Sequence, residues 1–226
     1  MVKKVWDFFN KEWNGLHEAA YLLGFFAFLS QVLALVRDRI LAHTFGASHS
    51  LDIYYAAFRI PDFIFVSLGS IVSLSVLIPF LLEQLDRSES EAKDFLSNLF
   101  SFFFLMIGGV CVIAFFLTPR LLPWLFPDYV SDPLYPELVT MTRILLLSPI
   151  FLGFSNFLAS VTQIYKRFFI YALSPLLYNL GIIAGIVFLY PIFGLKGLVL
   201  GVVGGAALHF LIQVPFVVKQ GLWPRF

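Results

Sequence analysis

Six stretches of mostly apolar residues, about 19–44, 57–83, 95–118, 138–163, 168–191 and 195–218, run through this chain of 226 residues. Each reaches the ~20 residues that carry a helix across a bilayer. A backbone in hydrocarbon must satisfy its own N–H and C=O groups, so windows of this length are helices rather than strands of an open sheet. The sequence therefore predicts an all-α integral membrane protein, a six-transmembrane-helix bundle spanning residues 19–218. A soluble alternative fails on composition. The chain is 60% hydrophobic and 13% charged, against about 25% charged residues in a soluble domain.

The flanks read differently. Residues 3–17 alternate aromatic and charged groups at roughly helical spacing, so 1–18 is expected to be an interfacial amphipathic segment with Trp6 and Trp13 at headgroup level. It is not a cleavable signal: Lys3 and Lys4 are followed by further charges, and the first apolar stretch is as long as a span. Residues 219–226 read as a cytoplasmic tail, or as a linker into a further amphipathic segment of a longer protein.

Between the third and fourth windows lie Pro119, Pro123, Pro127 and Pro133. They predict a helix break at 119 and a segment lying along the membrane surface. Pro61, Pro79, Pro149, Pro175, Pro191 and Pro215 sit in or beside other windows. Each frees a backbone carbonyl that needs protein or water beside it at membrane depth. Gly181 and Gly185, and Gly197, Gly201 and Gly205, repeat at the four-residue spacing that lets helices approach closely. These faces suit either packing within the bundle or a docking surface for a second lobe or a homodimer partner. Lys and Arg counts near the span ends place both termini in the cytoplasm, with Arg37, Arg39, Arg59, Arg120, Arg143 and Lys196 toward the opposite side.

Several function classes drop out. A net charge of +1 with no basic run gives no nucleic-acid footprint. Cys111 stands alone, and His17, His43, His49 and His209 lack ligand spacing, so no metal and no other cofactor is expected. No nucleophile–base pair or phosphate loop is present, which argues against an enzyme. The expected partners on this reading are membrane lipids, with no nucleic acid.

Charged residues at membrane depth are functional candidates by default. On the first span, Ser30 and Arg37 are seven residues apart and share a face, and Gln31 and Asp38 repeat the relation about 100° away. Arg59 and Asp62 open the second span. Arg37, Ser30, Gln31 and Arg59 are the candidate wall of an anion-facing cavity, because a guanidinium matches phosphate geometry. The alternative is that these charges snorkel or pair at headgroup level. Asp38 and Asp52 are placed to orient or neutralise the cations. Gly46 suits a helix stop in the left-handed conformation, Ser50 or Asp52 suits the next helix cap, and Pro61 suits a bend. Asn156, Gln163 and Asn179 are expected to hydrogen-bond between helices.

Residues 33–61 carry Arg37-Asp38, Phe45-Gly46-Ala47, Asp52, Ala57-Phe58-Arg59 and Pro61. In these they resemble the N-terminal signature of the MurJ/MviN family, the bacterial lipid II flippases within the multidrug/oligosaccharidyl-lipid/polysaccharide exporter superfamily. Weaker similarity continues through Ser148-Pro149, Lys166-Arg167-Phe168 and Pro175 to Asn179. The resemblance covers essentially the whole chain but only the first half of the family's fold, one MATE-like six-helix lobe of two about a cationic cavity. It implies a bacterial inner-membrane transporter in peptidoglycan biosynthesis, working by alternating access on a polyprenyl-pyrophosphate-linked glycan. It further implies that Arg37 binds the pyrophosphate, that Ser30 falls at a cavity position, and that Asp38 and Asp52 support the movement. The chain departs from the family at Gln31, where Arg is frequent. It departs again at Asp62, Phe65-Val66 and Ser70-Ile71, where the family commonly has Asn, an Arg pair and Glu-Gly. A polysaccharide or drug exporter of the same superfamily, and a degenerate half-transporter serving as a membrane scaffold, are the competing readings.

Overall fold

A computed structural model describes residues 15–69 and 74–223. The expected interfacial segment, with Trp6 and Trp13, lies outside the described residues except for its last four. So do Ser70, Ile71 and the last three residues of the tail. The described residues are helical, joined by short turns. In chain order the helices are α1 (Leu16–Phe45), α2 (His49–Ala57), α3 (Arg59–Gly69), α4 (Leu74–Arg87), α5 (Glu89–Leu125), α6 (Tyr135–Leu145), α7 (Leu147–Ile164) and α8 (Phe168–Ala184). A π-helical turn over Gly185–Leu189 then leads to α9 (Tyr190–Phe193), α10 (Leu195–Leu211) and α11 (Val214–Lys219). Five continuous helical stretches, including the α6–α7 pair and the run from α8 through α9, are long and apolar enough to cross a membrane. The protein is a multi-pass membrane protein.

The window at 57–83 departs from a single span. Its described part is divided among the end of α2, α3 and α4. Pro61 is the reason for the first division. It supplies no N–H to the Ala57 carbonyl and its ring crowds that position, so the helix stops at Ala57 and restarts at Arg59.

The expected break at Pro119 is corrected by the structure. Helix α5 begins where the Ser88 hydroxyl accepts from the Glu91 N–H at 3.1 Å, and it runs unbroken through Pro119 and Pro123 to Leu125. The two freed carbonyls are satisfied from α6. Pro119 frees the Phe115 carbonyl, which accepts from Arg143 Nε at 3.0 Å. Pro123 frees the Pro119 carbonyl, which accepts from the Tyr135 hydroxyl at 3.2 Å. A side-chain donor replaces each missing backbone donor, so the helix survives both prolines. Ser148 does the same for the Leu145 carbonyl freed by Pro149, at 2.7 Å.

The core is apolar side chains between helices, with Phe103, Phe157, Leu96 and Met141 fully buried. The glycine faces meet each other. A Cβ on Gly201 would stand 2.4 Å from the Gly185 Cα, and one on Gly181 would stand 2.3 Å from the Gly205 Cα. Thus α8 and α10 touch backbone to backbone, and these faces are consumed inside the bundle rather than offered to a second copy. Helix α1 leans on α8 in turn, with Phe26 edge-on to Phe169 at 5.2 Å.

Candidate functional site

Arg37 sits eight residues before the end of α1, so it lies about 12 Å below that terminus. Its Nε donates to Asp38 Oδ1 at 2.8 Å, and its Nη2 reaches the same oxygen at 2.8 Å. Its Nη1 donates to Asn179 Oδ1 on α8 at 3.0 Å. The Asn179 amide is held from behind, since its Nδ2 donates to Ser30 Oγ at 3.2 Å and to the Pro175 carbonyl at 3.1 Å. The seven-residue spacing of Ser30 and Arg37 therefore does what one shared face allows: both meet a single residue of a distant helix. A guanidinium has five N–H donors. Three are engaged, and two remain.

A cavity of about 550 Å³ opens beside this cluster, with Arg37, Asp38, Tyr54, Arg59, Asp62 and Tyr178 in its wall. Tyr55, Phe58, Leu41 and Ile182 complete it. The wall is not simply cationic. Arg37 and Arg59 are matched by Asp38 and Asp62, and three tyrosines supply neutral hydroxyls. Arg59 and Asp62, one turn apart on α3, also border a larger apolar groove of about 870 Å³ lined by Phe63, Val66, Leu121, Trp124 and Leu125. The polar cavity and the apolar groove thus share one turn of helix.

Of the sequence candidates, the structure brings together Arg37, Ser30, Asp38 and Arg59. Gln31 and Asp52 are exposed and outside the cavity wall. Neither Ser50 nor Asp52 caps α2; Ser48 holds that position, and its side chain makes no capping bond. Gly46 ends α1 with φ 58° and ψ −150°. That is a positive-φ conformation, but not the left-handed helical well expected, and it is still reserved for glycine. Pro61 is buried beneath the cavity, beside Phe58, Asp62, Ser148 and Pro149. Asn179 meets the interhelical expectation, whereas Gln163 Nε2 is buried without a hydrogen-bond partner among the described residues. Sequence reasoning missed Tyr54, Tyr55 and Tyr178. Tyr55, Arg59 and Asp62 fall at i, i+4 and i+7, a helical stripe whose spacing could have drawn Tyr55 in. Among the described residues, no cluster of His, Cys, Asp or Glu could hold a metal ion.

Comparison with known proteins agrees with this architecture. The chain is 28% identical over 220 residues to the lipid II flippase MurJ of Burkholderia cenocepacia, covering 92% of this chain and 41% of that protein. It is 29% identical over 206 residues to the lipid II flippase MurJ of Thermosipho africanus, covering 89% and 42%. A solved structure described as lipid II flippase MurJ, inward closed conformation, superposes with a TM-score of 0.74 at 28% identity, covering 88% of this chain and 42% of that one. The chain thus spans about two-fifths of the length of these relatives. The sequence profile of the family described as "Lipid II flippase MurJ" matches residues 41–226, and the chain belongs to that family.

Proposed function

We propose that this chain is the N-terminal lobe of a lipid II flippase, a transporter rather than an enzyme. It moves an undecaprenyl-pyrophosphate-linked peptidoglycan precursor across the bacterial cytoplasmic membrane by alternating access. The observation that carries this reading is Arg37. A guanidinium at membrane depth, fixed by Asp38 and Asn179 with two N–H donors to spare, faces a cavity one helical turn from an apolar groove. A diphosphate is the anion whose geometry fits those donors. A polyprenyl chain is the apolar partner that fits the groove beyond Arg59 and Asp62. Because two carboxylates already balance the two cations in this wall, a second lobe is the source of any further positive charge the substrate needs.

The test is complementation. The intact protein is expressed in cells depleted of their own lipid II flippase, and growth is scored against the amount of protein in the membrane. Arg37→Ala is expected to abolish rescue at undiminished membrane levels. Full rescue by that variant removes Arg37 from substrate binding. Wild-type rescue with Arg37 and Asp52 both neutralised would instead favour the scaffold reading. The intact mass of the native polypeptide decides the lobe question separately. A mass near 25.7 kDa makes this a half-sized protein, and a mass of double or more makes it one lobe of two.

A further inference from the structure

A third cavity, of about 700 Å³, lies between α5 and the α6–α7 pair and shares no residue with the Arg37 cavity or with the groove beside it. Its wall is apolar, with Val112, Phe116, Ile144, Leu147 and Ile150, except for Thr140 and one cation, Arg143. Val112 and Phe116 are strongly exposed on the outside of the bundle. The Thr140 hydroxyl is already engaged with the Pro136 carbonyl at 2.8 Å. Arg143 is held rigidly. Its Nε donates to the carbonyl that Pro119 freed, and its guanidinium carbon stands 4.7 Å above the centre of the Phe115 ring. Among the described residues, neither terminal nitrogen has a hydrogen-bond partner and no carboxylate pairs with this cation. An unpaired cation in an apolar membrane groove calls for an anion. A free inorganic anion has nothing to gain from the surrounding apolar wall. A lipid phosphate arrives with its own acyl chains. Arg143 lies eight residues into the Tyr135–Ile164 span, about 12 Å along its axis and so as far from its span end as Arg37, and an Arg side chain at that level extends toward the interface to meet a phosphate.

We propose that this groove is a binding site for an anionic membrane phospholipid, with the terminal nitrogens of Arg143 on the phosphodiester and one acyl chain along Val112, Phe116, Leu147 and Ile150. The site does not rest on the transport reading, and it stands or falls without it.

The experiment is native mass spectrometry of the intact protein from mild detergent, titrated with phosphatidylglycerol and with phosphatidylcholine of the same acyl chains. The wild type is expected to prefer phosphatidylglycerol, and Arg143→Gln to weaken that binding about fivefold to tenfold, while Arg143→Lys keeps most of it. Equal binding of the two lipids by the wild type overturns the proposal, as does undiminished phosphatidylglycerol binding by Arg143→Gln. Arg143 also satisfies a buried carbonyl, so a second variant leaves it in place. Val112→Trp fills the groove from its exposed rim and is expected to lower binding of both lipids. Unchanged binding by Val112→Trp likewise overturns the site, for instance in favour of a second protein lobe covering this face.

Discussion

Asn179 fixes where Arg37 points. Its amide oxygen accepts from the guanidinium while its amide nitrogen donates to Ser30 and to the Pro175 carbonyl, so one side chain ties α1 to α8 in two directions. Asn179→Leu keeps the bulk and removes every one of these bonds. It is expected to destabilise the protein by about 1–3 kcal/mol, the cost of leaving polar groups at a partly buried site unsatisfied. Thermal unfolding in detergent followed by tryptophan fluorescence checks this. Complementation should fall further than stability alone requires, because the two spare donors of Arg37 lose their fixed direction. The face shared by Ser30 and Arg37 was legible in the sequence, since helical spacing is local. The identity of their partner was not, because 149 residues separate Ser30 from Asn179 and no local pattern carries that information. Gln31 shows the limit of the same reasoning: an adjacent face was legible, but not that it would stay exposed.

Among the helices, α5 and the α8–α10 pair make the sharpest predictions. If Arg143 is needed for folding mainly because Pro119 removes an N–H, then restoring that N–H should make Arg143 dispensable. Arg143→Gln is expected to cost about 1–3 kcal/mol in the native background and much less in a Pro119→Ala background. A double-mutant cycle on unfolding in detergent measures the difference, and equal costs in both backgrounds would break the link between the two residues. The proline itself was plain in the sequence, but its consequence was not. A proline interrupts a helix only when nothing else supplies the missing donor, and the donors here come from another element. Along α10, the glycines divide into two kinds. Gly201→Ala drives a methyl group into the Gly185 backbone and should destabilise strongly. Gly204→Ala meets nothing within 4 Å and should be neutral or slightly stabilising, since alanine is the better helix former. Side-by-side melting of the two variants distinguishes a packing seam from a general intolerance of side chains.

Across the whole molecule, the turn after α5 is pinned to the start of α2. His49 Nε2 lies 2.5 Å from Asp132 Oδ2, whose other carboxylate oxygen accepts from the Leu134 N–H at 2.8 Å, and the His49 ring stands edge-on to Tyr129. The α1–α2 turn, the α5–α6 connection and the α9–α10 turn, where Phe45 packs on Tyr190 at 4.8 Å, therefore gather at one end of the bundle. If both termini are cytoplasmic, as the Lys and Arg distribution of the sequence predicts, that end faces outward. Because Cys111 is buried, single cysteines report this cleanly. A cysteine at Ser131 should react with a membrane-impermeant maleimide in intact cells, and one at Ser90 only after the membrane is opened. The reverse pattern inverts the topology. The membrane class was readable from apolar length alone, but the count of six spans was not: among the described residues five stretches are long enough to cross, because the second window is divided at Phe58, a division marked only by Pro61.

The seam of glycines has a mechanical consequence. Two backbones in direct contact have no side chains between them to slide, and α1 is bolted to the same pair through Asn179 and Phe26. Close backbone contact and these side-chain ties join the three helices into one packed unit. Such close packing leaves bending to breaks in the helical run, and the turn at Phe58, where α2 meets α3, is one such break that sits beside the polar cavity.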